Sequence, residues 1–308
     1  MDSSAKKDFA VIASLPELIS PLTERDFRDH LRERSPIFRR SRGENRFGKL
    51  LNWAMLRNLI ETGVIPPDQF AFTASTRPLP ATFYLKDGKI DVANFNGLLN
   101  KNVSLVTKPI ERYLPALNVL CADVAARLGE NVGAAVVATS GDGGALELHF
   151  DAPDVLVLQI EGSKRWRIYD RPVDHPIKGM HRPDPPRTQP IFDDILRPGD
   201  MLLVPGGYWH QCDNDGADIS LHLSLLITAP TAWHAMRSFM PKLLSEDAFR
   251  VPLSRFTDEA AKAAHEAALK EALIEKIKAM PLLELASKGL ERSVTHTDAA
   301  PAQGVASK

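Results

Sequence analysis

The chain has 308 residues, 44% of them hydrophobic and 25% charged, which allows one large domain or two smaller ones and excludes disorder of the whole chain. Its 38 basic and 39 acidic residues leave a net charge of −1, so broad electrostatic binding to nucleic acid or to an anionic membrane is not expected. Two cysteines are too few for a disulfide framework and no apolar run is long enough to span a membrane, so the sequence predicts a soluble, cytoplasmic protein.

Residues 1–130 are expected to form a mostly helical lead-in. Apolar residues at helical spacing predict a helix over 50–60 that ends at Gly63. A second helix is predicted over 107–130, with a break at Pro115.

Arginine is concentrated in residues 25–49 of this lead-in. Eight arginines and Lys49 stand there against four acidic residues. Such a run forms either a basic docking surface for an acidic partner or, more commonly, the solvated face of a helix and its loop.

Between about 131 and 230 the hydrophobic period changes from 3.6 to 2, which predicts β-strands. Glycine and proline turns separate many short strands, as is typical of a sandwich or barrel. A proline-rich connection over 172–190 is long enough to form a substrate loop over a pocket. The predicted strands are Ala134–Thr139, Leu146–Asp151, Val155–Ile160, Lys164–Tyr169, Met201–Val204 and Ile219–Thr228.

Helical periodicity returns over 231–291, and the polar residues 292–308 are expected to form a disordered tail. A helix is predicted over 258–280. Its apolar stripe packs either on the N-terminal helices or, as we predict, against a second copy of the chain, which makes the protein a homodimer. The stripe consists of Leu269, Leu273, Ile277 and Met280, with Ile274 beside it.

The segment Leu146–Asp151 contains a candidate metal site. In an extended strand His149 and Asp151 point to the same side, where an imidazole and a carboxylate can bind one divalent ion. The spacing alone is a weak signal, because the predicted tail contains a second such pair, His296 and Asp298, which we attribute to chance.

Two later residues strengthen this hypothesis. His210 follows a turn, an apolar strand and a second turn, which places it at the rim of a barrel as a candidate second imidazole ligand. Lys164 alternates with Trp166 and Ile168, so on an inward face it would be a buried cation that needs an anionic partner, such as a dianionic ligand. The alternative is the opposite strand orientation, with Lys164 in water.

The segments 149–170, 196–211 and 220–228 together resemble the Jumonji-C family of 2-oxoglutarate- and Fe(II)-dependent oxygenases, and most of all its ribosomal-oxygenase branch. The resemblance implies a mainly β chain with helices, of the α+β class. Its core would be a double-stranded β-helix, or jelly roll, between a helical lead-in and a C-terminal helical segment.

The same resemblance implies specific roles for the candidate residues. His149, Asp151 and His210 would bind Fe(II), and Lys164 would hold the distal carboxylate of 2-oxoglutarate. Ser224 would assist Lys164, and Thr139 is a further candidate for binding the cosubstrate. His222 is expected to be a polar core residue or a hydrogen-bond partner of a ligand.

The implied activity is O2-dependent hydroxylation of a C–H bond in a protein or peptide side chain, with succinate and CO2 as coproducts. Three alternatives stay open: the same chemistry on a small metabolite, a non-catalytic metal-binding barrel, and metal-dependent hydrolysis. Fold does not decide among substrates.

Overall fold

The computed structural model describes residues 10–41, 43, 45–74, 77–99, 101–141, 146–170, 174–177, 184–216, 219–252, 258–282 and 284–287. The chain divides into two compact units, Met1–Thr228 and Ala229–Lys308. Over the described ranges, no helix combines the length and the apolar character that crossing a bilayer requires.

The lead-in of the first unit mixes short helices with short strands. Its elements are α1 (Leu15–Ile19), α2 (Glu24–Glu33), β1 (Ile37–Arg39), α3 (Trp53–Glu61), β2 (Phe70–Ala74), β3 (Arg77–Pro78), β4 (Leu85–Lys86), β5 (Lys89–Ile90), α4 (Val92–Leu98), β6 (Ser104–Thr107) and α5 (Pro115–Leu128). The helix predicted from residue 50 begins at Trp53, because the side chain of Asn52 accepts a hydrogen bond from the Met55 N–H and caps it.

The helix predicted over 107–130 is shorter than expected. A 3-10 turn, Ile110–Tyr113, precedes it, and α5 begins at Pro115. The first helical position has no intrahelical partner for its N–H, so a proline there starts the helix instead of breaking it. Gly129, at φ +71°, ends the helix in the left-handed conformation that glycine adopts easily.

Eight further strands form two facing antiparallel sheets. They are β7 (Asn131–Thr139), β8 (Leu146–His149), β9 (Asp154–Glu161), β10 (Lys164–Ile168), β11 (Phe192–Leu196), β12 (Met201–Val204), β13 (His210–Asn214) and β14 (Ser220–Thr228). The larger sheet has the order β1-β12-β9-β14-β7-β6-β2-β3, and the smaller has the order β11-β10-β13-β8. This alternation of strands between two sheets is the double-stranded β-helix, so the predicted fold class is confirmed.

Strands β11 and β13 were not among the predicted strands. The apolar residues of β11 do not alternate with polar ones, and β13 is mostly polar, so neither strand shows a hydrophobic period of two. Their charges are instead paired across the outer face of the smaller sheet: Arg165 of β10 binds Asp193 of β11, and Arg167 binds Asp213 of β13.

Four of the described arginines of 25–49 bind other parts of the same unit. Arg40 donates to Asp194 at 2.6 Å and to Asp200 at 3.0 Å. Arg46 donates to the Ser20 carbonyl at 3.0 Å. These contacts favour the explanation that the basic run is the solvated face of a helix and its loop, and not a docking surface for an acidic partner.

Asp200 joins the lead-in to the barrel. Its side chain is fully buried and accepts hydrogen bonds from Arg40, from the Ser41 N–H at 2.6 Å and from the Arg197 N–H at 2.8 Å. We expect Asp200→Ala to lower the free energy of unfolding by about 3 kcal/mol, because two backbone donors and one guanidinium lose their acceptor. Urea unfolding measures the loss, with the exposed Asp68→Ala as control; a loss as small as that of the control would contradict the assignment.

The second unit contains α6 (Ala232–Leu243) and α7 (Glu259–Lys278). Leu273 and Met280 of the predicted apolar stripe pack against the small core of this unit, which includes Phe239. Ile274 and Ile277 are 43% and 40% exposed. The stripe is therefore divided between an intramolecular contact and an open face. The predicted tail, 292–308, lies outside the described residues.

Candidate metal centre

Two strands of the smaller sheet bring the candidate imidazoles together. Strand β8 ends at His149, β13 begins at His210, and the two residues are direct partners in the antiparallel register. Their ring centroids are 4.3 Å apart. Asp151 was predicted to be part of the first strand, but it lies just beyond the strand, in the turn that leads through Pro153 to β9.

The three predicted ligands form one cluster. Asp151 Oδ2 lies 3.8 Å from His149 Nε2 and 3.5 Å from His210 Nε2, and the ligand atoms all lie within 4.8 Å of one another. It is the one cluster of metal-ligating side chains found in the described part of the chain. Two imidazoles and one carboxylate on one side of an ion leave its remaining coordination positions open.

The orientation of His210 is fixed by its surroundings. Its Nδ1 lies 3.0 Å from the Tyr208 carbonyl oxygen. Because a carbonyl only accepts hydrogen bonds, Nδ1 carries the proton and Nε2 is free to bind a metal. Trp166 stacks on the same ring at a centroid distance of 5.9 Å, and the His210 side chain is 5% exposed.

Lys164 faces the barrel interior and is 1% exposed. Its ammonium donates to Thr139 Oγ1 at 2.7 Å, and that hydroxyl lies 2.9 Å from Ser104 Oγ. Burial lowers the pKa of Lys164 from its ordinary value of 10.5. Within the described ranges no carboxylate forms an ion pair with the ammonium, so a buried positive charge is left for an external anion. The structure thus brings Lys164 and Thr139 together.

The candidate serine lies further from this pair. Ser220 of β14 is the register partner of Thr139, whereas Ser224 is the partner of Ala135. Ser224 is therefore four residues along β14, a distance of about 13 Å at the usual rise of a strand. A role for Ser224 in cosubstrate binding stays a prediction. The register identifies Ser220, which the sequence analysis did not single out for this role, as the serine beside Thr139.

His222 lies between these groups in the barrel interior. It is 1% exposed, and its ring contacts Trp166 at a centroid distance of 5.4 Å. Burial, with smaller contributions from Lys164 and His210, lowers the pKa of His222 well below its ordinary value, so the ring is neutral at pH 7. Its Nδ1 has no hydrogen-bond partner among the described groups.

One face of β10 connects the two ends of the site. Ile168 is the register partner of His210, and Lys164 is the partner of Asn214, with Trp166 between them. The ligand cluster and the buried ammonium therefore lie about four residues apart along one interior surface.

The long connection between β10 and β11 begins and ends beside the ligand cluster. Ile168 pairs with Phe192 on one side and with His210 on the other. Of the predicted substrate loop, 172–190, only residues 174–177 and 184–190 are described, so its covering of a pocket stays a prediction.

Sequence comparisons find relatives that are similar over the residues of this site. Residues 112–235 match the family model of the JmjC domain. The bifunctional lysine-specific demethylase and histidyl-hydroxylase NO66 of Drosophila willistoni is 36% identical over 138 residues, which are 43% of this chain and 18% of that protein. NO66 of Drosophila persimilis is 28% identical over 237 residues, which are 76% of this chain and 34% of that protein. The chain thus spans about a fifth to a third of the length of these curated relatives.

Solved structures share the fold. The Escherichia coli ribosomal oxygenase YcfD superposes with a TM-score of 0.57 at 18% identity. The superposition covers 85% of this chain and 68% of the YcfD chain. YcfD in complex with cobalt and 2-oxoglutarate gives a TM-score of 0.54 at 19% identity, over 82% of this chain and 66% of its own. Residues 112–235 therefore match the model of the JmjC domain, and the chain folds as the double-stranded β-helix of these solved structures.

Proposed function

We propose that the chain is a 2-oxoglutarate- and Fe(II)-dependent dioxygenase that hydroxylates a C–H bond in a protein side chain and releases succinate and CO2. The observation that carries the proposal is a pair of features in one barrel interior. The cluster of His149, Asp151 and His210 lies at one end, and the ammonium of Lys164, with no carboxylate partner among the described residues, lies at the other.

The donor atoms fit the proposed ion and cosubstrate. Two imidazole nitrogens and one carboxylate oxygen are the set typical of non-haem Fe(II) oxygenases, and they leave positions for a chelating keto acid and O2. A buried ammonium with only a hydroxyl partner suits the second carboxylate of a dicarboxylic acid, since a charge in such a place is costly until it is paired.

When bound, Fe(II) would use O2 as the oxidant and 2-oxoglutarate as a two-electron reductant, so that one oxygen atom enters the C–H bond and the other enters succinate. The side chains of this protein would bind and orient these groups. The Tyr208 carbonyl holds the His210 ring with Nε2 toward Asp151, where it would bind the ion. Phe150 and Trp209, the sequence neighbours of His149 and His210, are 5% and 3% exposed and in edge-to-face contact at 5.1 Å, so they pack the two ligand-bearing segments together.

A protein substrate is supported by the relatives. NO66 is named a lysine-specific demethylase and histidyl-hydroxylase, and YcfD is named a ribosomal oxygenase. Incubation of the purified chain with Fe(II), 2-oxoglutarate and a cell lysate tests the proposal. We expect succinate release and a protein peptide that gains the mass of one oxygen atom. An oxidised metabolite without an oxidised protein would change the substrate class, and no succinate release under any condition would contradict the activity.

We also propose that the chain forms a homodimer through the open face of α7. An apolar helix face exposed to water is stabilised when a second copy covers it, and two-fold dimers are the commonest oligomers. We expect replacement of Ile274 and Ile277 together by Glu to give a folded monomer, because neither side chain is buried within its own unit. Light scattering over a concentration series measures the change. A monomeric unmodified chain would contradict the dimer. Leu273 is left unchanged because it packs on the core of its unit.

A cytoplasmic location and the absence of direct nucleic-acid binding complete the proposal. Cys121 and Cys212 are both buried and are not joined in a disulfide, as is usual in a reducing compartment. The described arginines Arg40 and Arg46 bind carboxylates and carbonyls of their own unit, which leaves them less able to bind phosphates.

A further inference from the structure

The turn of residues 205–207 joins β12 to β13 and leads to the second imidazole ligand. The Gly206 N–H donates to Asp154 Oδ1 at 2.7 Å. The Gly207 N–H donates to the Asp151 carbonyl oxygen at 2.9 Å. The turn that precedes one metal ligand is therefore hydrogen-bonded to the segment that carries another.

The two segments approach each other as closely as their backbones allow. A Cβ atom on Gly206 would lie 2.4 Å from the Ala152 carbonyl oxygen, a distance at which the backbone would have to move. Gly207 has a φ of +88°, which favours glycine. On the other side of the turn, the Arg34 guanidinium donates to the Gly206 carbonyl. The turn is thus held between Arg34 and Asp154.

We propose that Asp154 is a positioning residue for the metal centre, which holds the His210 turn against the Asp151 segment so that both ligands face one ion. The inference rests on the proposed function only in requiring that the cluster binds a metal. Asp154 is not a member of the ligand cluster. Its carboxylate instead accepts from the backbone N–H four residues before His210, so its effect on the ion is transmitted through the turn.

The strength of this effect follows from geometry. A metal site needs its ligands within about 0.5 Å of their productive positions, and these positions depend on the groups that support the ligands. Removing the Asp154 carboxylate leaves the Gly206 N–H without its acceptor and frees the turn to move away from Asp151. Loss of a group that orients a metal ligand typically weakens metal binding about 10- to 100-fold, and we expect a loss in this range when the turn is freed.

Co(II) titration of the full chain tests the inference, because Co(II) binding is visible both by calorimetry and in the absorption spectrum. We expect Asp154→Ala to bind Co(II) about 10- to 100-fold more weakly, with an altered visible spectrum. Asp154→Asn keeps an oxygen that accepts the Gly206 N–H, so we expect it to restore affinity to within about threefold of the unmodified chain. Asp68→Ala, an exposed acid in the lead-in, is the matched control and should bind Co(II) unchanged.

A purely structural role would lower the melting temperature of Asp154→Ala but would leave the affinity and the spectrum of the folded protein unchanged, and this result would overturn the inference. If Asp154→Ala does not fold, Asp154→Glu replaces it. Its longer side chain shifts the turn and should weaken Co(II) binding and alter the spectrum; an unchanged affinity and spectrum would overturn the inference. An unmodified chain that binds no Co(II) would overturn the proposed function as well, so the two failures are distinguishable.

Discussion

His149→Ala is expected to lose tight Fe(II) binding and all 2-oxoglutarate turnover. Asp151 and His210 would remain, and two ligands hold a first-row ion poorly. Loss of a hydrogen bond to a metal ligand typically weakens metal binding about 10- to 100-fold. The loss of a ligand itself should lower the Fe(II) affinity by more than that. Iron content after dialysis and succinate release measure the two effects.

His30→Ala is the matched control for this variant. His30 lies on α2, where its ring is hydrogen-bonded to Ser35 at 2.7 Å, and it is not part of the ligand cluster. Iron content and turnover of His30→Ala should equal those of the unmodified chain. Stoichiometric iron with full turnover in His149→Ala would remove His149 from the metal site.

Lys164→Met is expected to weaken 2-oxoglutarate binding by about 3 kcal/mol or more, which is at least about a hundredfold, because the cosubstrate would bury a carboxylate without a cation. Metal binding should be unchanged. Calorimetric titration of 2-oxoglutarate into the Mn(II)-loaded protein measures cosubstrate binding separately from metal binding. Arg165→Met is the control, since Arg165 points outward and binds Asp193. A loss seen on changing Arg167 instead of Lys164 would show that the cosubstrate carboxylate binds elsewhere.

The same variant should be more stable than the unmodified chain in the absence of ligand. Burial lowers the pKa of Lys164, so the folded chain binds this proton less tightly than the unfolded chain does. The contribution of Lys164 to stability is therefore unfavourable at low pH and improves as the pH rises through its folded-state pKa toward 10.5. We expect Lys164→Met to melt at a higher temperature at pH 7, by about 2–4 °C for each kcal/mol gained, and the difference to shrink in alkali. An equal or lower melting temperature would contradict the account.

Much of this site could be predicted because it lies on regular strands. Alternation along β10 correctly separated Lys164 and Trp166, which are buried, from Arg165, which is exposed. The same rule put His149 and Asp151 on one side, and their ligand atoms do meet, although Asp151 lies beyond the strand. Local periodicity is enough for such pairs since the side-chain direction repeats every two residues.

The remaining features depend on contacts between distant parts of the chain. The polar strand β13 (His210–Asn214) is held by pairing with β10 and β8, which no hydrophobic period reveals. Asp154 was predicted neither as a site residue nor as a strand residue. The only local signal is an acid three residues after a candidate ligand, and its partner, Gly206, is 52 residues away. Tertiary pairing of this kind overrides local propensity.

The position of β8 in the smaller sheet has a consequence for the lifetime of the protein. Among the described strands, β8 is the last in its sheet and pairs only with β13, with an irregularity in the register after His210. An ion shared by His149 and His210 would tie this outer strand to its neighbour. Without the ion, β8 could separate from β13 and leave the backbone N–H and C=O groups of β13 unpaired. Unpaired groups at a sheet edge can pair with another chain, which is how aggregates grow. Iron supply would then determine how long the folded chain persists as well as how fast it reacts.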